Sequence, residues 1–400
     1  MSTSNRIPVQ PAVARWARES AGFSPAQAAR ALGVGVATLE RWEDGSLAPT
    51  IKQLRRAAAR YHRPLAVLLL PEPPTDFDAM RDFRRLGDAG SMHWSAQLHA
   101  ELKRALSQRE VLVELAEIAP DSVGALRPAP RLRVRRDVDA ETAGRTLRDA
   151  LRLDDAASTQ WTLPHEALRA GLTAAEALGV IVMQTTRVPV QEMRGFSIAA
   201  WPFPVIALNG GDAPRGRLFT LLHELAHLAV SSGGLCDLHQ AHGRPERRED
   251  DMERYCNEVA AAALMPLGAF LADHTVRAMD GGHRWRLDEL QEVSRRFGPS
   301  PEAVLLRLVA LERTSWTLYR QIKAEIDEAN ALAAARERER RRSAHGGPSF
   351  YVVHVRDLGR SYVDAVLDAF YAKSISSLDT ADYLDIRFDQ LPKLERALSA

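Results

Sequence analysis

Two histidines separated by three residues, His223 and His227, stand in the apolar segment LFTLLHELAHLAV, and Glu224 directly follows the first of them. In a helix, residues four apart lie on one face about one turn from each other, so both imidazoles can bind one metal ion. Glu224 can then take a proton from a water molecule as that water attacks a carbonyl carbon. This HExxH spacing is typical of zinc peptidases, and it predicts Zn²⁺ as the cofactor and peptide-bond hydrolysis as the chemistry.

A catalytic zinc ion takes three protein ligands and keeps one position open, so a third ligand is needed. The segment DMERYCNEVAAAALMP supplies acids on a second predicted helix, which ends at Pro266. Glu253 and Asn257 are again four residues apart, which predicts Glu253 as the third ligand and Asn257 as a neighbour that holds a ligand histidine. Glu258 competes, but five residues past Glu253 it should face elsewhere. The alanines at 260–263 allow close packing on the histidine helix.

Other side chains near these two helices are weaker candidates. His239 and His242 lie in a polar loop, where they either hydrogen-bond a tetrahedral oxyanion or are solvated, and loop histidines are more often solvated. Tyr255 is a further candidate for that oxyanion role. Cys256 is better explained as a small packing residue, because the chain has no C-x-x-C pair. Manganese or iron can also occupy two histidines and a carboxylate, so the native metal stays open.

The two motifs together resemble those of the ImmA/IrrE family of metallopeptidases, in FTLLHELAHLAV followed by ERYCNEVAAAALMP. GFS at Gly195–Ser197 and PVIALN at 204–209 are also similar to the family. The resemblance implies a gluzincin-like fold and assigns the metal ligands and the catalytic glutamate to the residues already derived from spacing. It also implies cleavage of one specific regulatory protein, such as a repressor or an antitoxin.

The sequence predicts five short helices at its start, the last of them in LAVLLLPEPP. Ser24 caps one of them, with Pro25 at its first position, and Gly33 ends it. SPAQAARALGVGVATLERWEDGSLAPTIKQLRRAAARY resembles the XRE family of helix-turn-helix domains and keeps the turn glycine, Trp42 and Glu43. The resemblance implies DNA binding, whereas the plainer interpretation is a helical bundle with a solvated basic face.

Charge and side-chain chemistry limit what this first segment can recognise. Ten Lys and Arg against four Asp and Glu in residues 1–70 give a local charge of +6 in a chain of net charge +1, which favours contact with phosphate. The predicted recognition helix begins with Gly, Val and Ala at 35–37, which offer no side-chain hydrogen bonds to bases. We therefore expect weak sequence discrimination on DNA, or docking of a partner protein. The candidate DNA contacts are Thr38, Glu40, Arg41, Lys52, Arg55 and Arg56.

The pattern of predicted elements indicates a multidomain chain. VIVMQTT, GFSIAAW and PVIALNG are short strand-like runs between helices, and FYVVHV is a further possible strand. The predicted parts are an all-α helix-turn-helix domain at 1–75, a helical connector at 76–136, an α+β gluzincin-like metallopeptidase domain at 137–315, a charged helix and linker at 316–345, and a small mostly helical unit at 346–400.

Composition excludes several classes of protein. Two cysteines, Cys236 and Cys256, are too few for a disulfide framework, and the start of the chain lacks a signal-peptide pattern. No apolar run approaches the roughly 18 residues that span a bilayer, so we expect a cytoplasmic protein without a membrane partner. The predicted function is zinc-dependent endopeptidase activity on a protein partner of repressor, antitoxin or toxin type. The alternative is a non-proteolytic transcription regulator or antitoxin whose metal site is structural.

Overall fold

A computed structural model describes most of the chain, and contacts divide it into two units, Met1–Leu106 and Ser107–Ala400. The division falls inside the predicted connector at 76–136, in a long helix, Ala96–Ile118. The described residues are 6–19, 21–61, 65–73, 95–126, 132–153, 163–230, 235–236, 247–278, 285–343 and 348–399.

The first unit begins with four short helices, followed by a 3-10 turn at Leu65–Leu69 where the sequence predicted a further α-helix. Side chains fix two of the helix starts, because Ser24 and Gln27, and likewise Thr50 and Gln53, form reciprocal capping boxes. Gly33 ends the second helix at a positive φ of 66°, as the turn glycine was expected to do. The four helices are α1 Pro11–Glu19, α2 Pro25–Leu32, α3 Val36–Glu43 and α4 Ile51–Arg60.

A buried ion pair joins α1 to α3. The Arg18 guanidinium donates to both carboxylate oxygens of Glu43, from Nε at 2.6 Å and from Nη2 at 2.9 Å. Both side chains are only 9% exposed, and Arg18 also donates to the carbonyl of Phe23. The hydrogen bond that Arg18 donates to Glu43 raises the pKa of Arg18 despite burial. The pairing with Arg18 therefore explains, in structural terms, why a glutamate stands at position 43 of the helix-turn-helix pattern.

Glu43→Ala should destabilise the first unit by about 3 kcal/mol, because it leaves a buried guanidinium without its carboxylate. Hydrogen exchange of α1–α4 in the full chain measures the effect as faster exchange throughout these helices. Glu40→Ala is the matched control, since Glu40 is exposed on the same helix. Equal exchange in the two variants would show that the pair contributes nothing.

The second unit contains a small sheet and most of the helices. Its helices, after the one that crosses the division and is numbered α5, are α6 Ala140–Ala150, α7 Pro164–Ala177, α8 Pro214–Val230, α9 Arg247–Leu264, α10 Leu267–Ala272, α11 His274–Ala278, α12 Leu287–Phe297, α13 Pro301–Ala310, α14 Trp316–Ser343, α15 Phe350–Leu358, α16 Arg360–Tyr371, α17 Ser377–Tyr383 and α18 Leu391–Leu398. Short 3-10 turns lie at Gly124–Leu126 and Phe388–Gln390. The strands are β1 Ile181–Thr185, β2 Gly195–Ile198, β3 Val205–Asn209 and β4 Leu235–Cys236.

The four described strands run in the order β1-β3-β2-β4. β1 is parallel to β3, whereas β2 is antiparallel to both of its neighbours. Three of these strands match the three predicted from alternation and turn residues, and β4 is additional. Paired residues share a face, so Val182, Ile206 and Gly195 lie on the same side of the sheet. That side packs on α8, which is buried at every position from Thr220 to Ala229.

Helix α6 holds α9 in place through close backbone approach. A β-carbon added to Gly144 of α6 would lie 2.6 Å from Ala262 Cβ and 2.9 Å from the backbone nitrogen of Ala263, so only glycine fits. Arg148, one turn later, donates from Nη1 to the Ala263 carbonyl at 3.0 Å and satisfies one of the last carbonyls of α9. The alanines of α9 were expected to face the histidine helix, and the structure shows that Ala262 also contacts α6.

The last fifty residues are helical, and they pack within the second unit. FYVVHV lies in α15, so the strand predicted there is wrong. Ser349 caps this helix by accepting a hydrogen bond from Val352 N, and Val355 and Leu358, three residues apart, are buried. Tertiary packing of that helical stripe outweighs the preference of adjacent valines for strands. No described helix is both long enough and apolar enough to cross a membrane.

Candidate metal centre

Helix α8 brings His223, Glu224 and His227 into the core of the second unit. His223 is 2% exposed, His227 4% and Glu224 0%. The two imidazoles lie on one face, with their Nε2 atoms 3.1 Å apart and their rings edge to face at 4.7 Å between centroids. Buried polar groups of this kind are costly unless they bind a partner. The helix therefore presents two histidine nitrogens toward one point.

Glu253 of α9 completes a three-residue cluster. Its carboxylate oxygens lie 3.3 Å from His223 Nε2 and 3.2 Å from His227 Nε2. Burial alone would raise the pKa of Glu253, but hydrogen bonds with His223 and His227 outweigh it and hold that pKa well below its usual range. Glu253 is therefore a carboxylate at neutral pH, as a metal ligand must be. The three candidate ligands are the one such cluster found among the described residues.

The spacing of these atoms fits a tetrahedral metal ion. Zinc bonds of about 2.0–2.1 Å at tetrahedral angles require ligand atoms about 3.3 Å apart. The two Nε2 atoms are 3.1 Å apart, and each of them lies 3.2–3.3 Å from a different oxygen of the Glu253 carboxylate. Two imidazoles and one carboxylate also form a donor set found in catalytic zinc sites, which leaves one position free. The donor types and their proximity thus fit a metal ion.

Gly195 of β2 makes room for Glu224, a role that helical spacing does not reveal. A β-carbon at Gly195 would lie 3.3 Å from Glu224 Oε1, 2.5 Å from Thr220 Cγ2 and 3.1 Å from the Ala207 carbonyl oxygen. The sheet can therefore approach α8 at Glu224 only because this position lacks a side chain. The feature of the sequence that could have indicated this role is the isolated glycine, Gly195, at the start of the strand-like run GFSIAAW.

Gly195→Ala should lower stability by about 2 kcal/mol through overpacking, and it should also displace the Glu224 carboxylate. We expect a lower melting temperature, with the cluster of His223, His227 and Glu253 retained because those three residues lie elsewhere. Gly268→Ala is the control, since a β-carbon there would meet nothing within 4 Å. A variant at Gly195 with normal stability would contradict the proposed close approach.

The remaining sequence candidates near the centre have different outcomes. Asn257 is exposed, and no hydrogen bond joins it to either histidine within the described chain, so its expected positioning role has no support in this geometry. The Tyr255 hydroxyl donates to the Val138 carbonyl at 2.8 Å and so is engaged away from the cluster. Glu258 is exposed and is not part of the cluster of candidate ligands. His239 and His242 lie outside the described residues.

The candidate DNA contacts lie on α3 and α4 of the first unit. Glu40 and Arg41 are exposed and Thr38 is half-buried on α3, whereas Lys52 and Arg55 are exposed on α4. Arg56 differs, because its Nη1 donates to the Leu32 carbonyl at 2.8 Å and caps the end of α2. The guanidinium of Arg56 thus stabilises the end of α2.

Comparison with known proteins identifies two segments of this chain. Residues 175–309 match the family model described as the IrrE N-terminal-like domain, and residues 12–69 match a helix-turn-helix domain model. The chain therefore combines a helix-turn-helix segment with an IrrE N-terminal-like segment. This confirms both resemblances inferred from the motifs. The candidate ligands and Glu224 all fall inside the IrrE N-terminal-like segment, and the candidate DNA contacts fall inside the helix-turn-helix segment.

One curated relative supports the same conclusion over a short stretch. Sixty-four residues are 41% identical to the radiation response metalloprotease IrrE of Deinococcus radiodurans. The match covers 16% of this chain and 19% of that protein, so it spans about a fifth of the relative's length. No solved structure matches the chain. An IrrE N-terminal-like segment suggests a metallopeptidase, and the helix-turn-helix segment suggests a fused regulator.

Proposed function

We propose that this protein is a zinc-dependent endopeptidase in which His223, His227 and Glu253 hold the metal and Glu224 is the general base. The observation that carries the proposal is the cluster of His223, His227 and Glu253, whose candidate ligand atoms all lie within 4.8 Å of one another, with Glu224 next to His223 on the same buried helix. The curated relative, which is a metalloprotease, agrees with this proposal. Manganese and iron accept the same donor set, so elemental analysis of the purified protein identifies the native metal.

The chain's own residues have distinct roles in this reaction. His223 and His227 would offer nitrogen lone pairs to the cation, and the carboxylate of Glu253 would compensate part of its charge. A zinc ion held by these residues would polarise the scissile carbonyl and lower the pKa of a water molecule, so that this water could lose a proton near neutral pH. Glu224 takes a proton from that water molecule as the water oxygen bonds to the carbonyl carbon. Glu224 then gives the proton to the departing amine as the C–N bond breaks.

We infer that the substrate is one regulatory protein of repressor or antitoxin type, and this part rests on the family resemblance. A helix-turn-helix segment in the same chain supports a regulatory setting over general digestion. Cells that produce the wild type should contain new peptide N-termini that cells producing Glu224→Gln lack. The alternative, a non-proteolytic regulator with a structural metal, predicts identical peptide sets in the two cultures.

We also propose that the helix-turn-helix segment contacts DNA through phosphates, with weak sequence discrimination. Lys52 and Arg55 are exposed, whereas the start of α3 exposes Val36 and Ala37, which read no base by hydrogen bonding. With three or four phosphate contacts, affinity should fall by roughly 40-fold to 150-fold between 50 and 200 mM salt. Discrimination between operator-containing and scrambled DNA should stay far below about a thousandfold.

A fluorescence titration at the two salt concentrations tests this prediction. Lys52→Gln and Arg55→Gln should each reduce the salt slope by about 0.9. Arg320→Gln is the control, because Arg320 is exposed on α14 of the other unit. Thousandfold discrimination that persists at high salt would refute this account of α3, and no binding at low salt would favour a partner-docking role.

A further inference from the structure

A second group of charged side chains lies at the ends of β1 and β3, apart from the metal cluster. The two parallel strands end together, and Gly210 N donates to the Thr185 carbonyl at 2.7 Å to close the turn that follows β3. Arg217 of α8 and Arg356 of α15 both reach this end of the sheet. We call Arg194, Asp212, Arg217, Arg356 and Asp357 the Arg217 cluster.

Arg217 is a half-buried cation that no carboxylate pairs with among the described residues. Its Nη1 donates to Gln184 Oε1 at 2.7 Å, and Gln184 itself is buried. Its Nε is buried and donates to no described residue. Burial lowers the pKa of Arg217 and the positive charge of Arg356 lowers it further, while Asp212 opposes both. The main hydrogen-bond partner of the Arg217 guanidinium is thus the neutral amide oxygen of Gln184. Burying a cation without an opposite charge beside it costs free energy.

Arg356 brings a second guanidinium to the same place. Its Cζ would lie 3.6 Å from a β-carbon on Gly210, so the absence of a side chain there lets it approach the turn. Two of its nitrogens donate to Asp357 Oδ1, and Asp212 pairs with Arg194 at 3.7 Å. Three arginines therefore face two aspartates, which leaves one positive charge in excess in the Arg217 cluster.

We propose that the Arg217 cluster binds an oxyanion, the phosphate or carboxylate group of a small ligand. Guanidinium groups match such anions geometrically, and a bound anion would neutralise the excess charge and accept from the donors of Arg217 that its own chain leaves unused. The ligand would contact α8, which carries the histidines, and α15 of the C-terminal segment. Arg217 lies seven residues before Glu224, about 10 Å along the same helix. The site is separate from the metal centre and does not depend on peptidase activity.

Calorimetric titration of the full-length protein tests this proposal, with inorganic phosphate and acetate as separate probes and sodium chloride at matched ionic strength as the blank. The wild type should bind at least one of the two anions with a dissociation constant at or below the millimolar range. Arg217→Gln and Arg356→Gln should each weaken that binding at least tenfold. Arg360→Gln removes an exposed arginine from the next helix and should change it less than twofold.

Each outcome of the titration has a definite meaning. Phosphate binding alone identifies a phosphoryl ligand, acetate binding alone identifies a carboxylate ligand, and loss of either in both variants supports the site. Circular dichroism checks that the variants fold, and Arg356→Gln decides the matter if Arg217→Gln does not. Absence of binding to both anions, or binding that survives in a folded Arg356→Gln protein, would overturn the proposal.

Discussion

Glu224→Gln should abolish peptide-bond cleavage while leaving the fold and the metal content unchanged. The amide is nearly the same size as the carboxylate, so it fits the same buried space beside Gly195. It cannot accept a proton from the attacking water, however, and general-base catalysis of this kind contributes up to about 10⁴-fold in rate. We therefore expect cleavage to fall by about a thousandfold or more.

Mass spectrometry of new protein N-termini in cells producing wild type or Glu224→Gln measures this effect even while the natural substrate is unidentified. Glu258→Gln is the matched control, because it makes the same chemical change at an exposed position on α9. Its peptide set should equal that of the wild type. Undiminished cleavage by a correctly folded, metal-containing Glu224→Gln protein would remove Glu224 as the base.

Glu253→Ala should lose most of the bound metal. Glu253 supplies the one carboxylate within 3.3 Å of both histidine Nε2 atoms among the described residues. Loss of an outer partner already weakens metal sites by about 10–100-fold, so loss of a direct ligand should weaken binding by more than about a hundredfold. The variant should remain folded, because α9 is held by Gly144 and Arg148 rather than by this carboxylate.

Elemental analysis of the purified proteins checks this expectation, with Glu258→Ala as the control that keeps stoichiometric metal. A competition titration with a chromophoric chelator gives the change in affinity. Stoichiometric zinc in Glu253→Ala would show that the third ligand is another residue. Because the readout is metal content, the result stands whichever protein is the natural substrate.

Much of the candidate site was predictable because its parts are local. The four-residue spacing of His223 and His227 determines that both side chains leave one helical face, whatever the rest of the chain does. The same helical spacing favoured Glu253 over Glu258 as the third ligand. The helix-turn-helix elements were likewise predictable, because capping residues such as Ser24 and Thr50 act on their own helices.

Other features were not predictable because the deciding contacts are distant in sequence. FYVVHV has strand-forming residues, yet the burial of Val355 and Leu358 on one stripe makes it helical. Asn257 has the correct spacing from Glu253, yet it is exposed on α9. Tyr255 is only two residues from Glu253, yet its hydroxyl bonds to Val138, 117 residues earlier. Spacing along a helix gives the direction of a side chain but not the partner that lies there.

The sequence by itself determined which side chains share a face: two histidines and a glutamate on one helix, and an acid on another. Only the tertiary structure decided that these faces meet within hydrogen-bond distance. That meeting depends on how closely α9 and the sheet approach α8, and the approach is permitted at Gly144 and Gly195, where a single β-carbon would collide. Helical periodicity is a local property of the backbone, whereas distances between elements result from packing summed over the whole core.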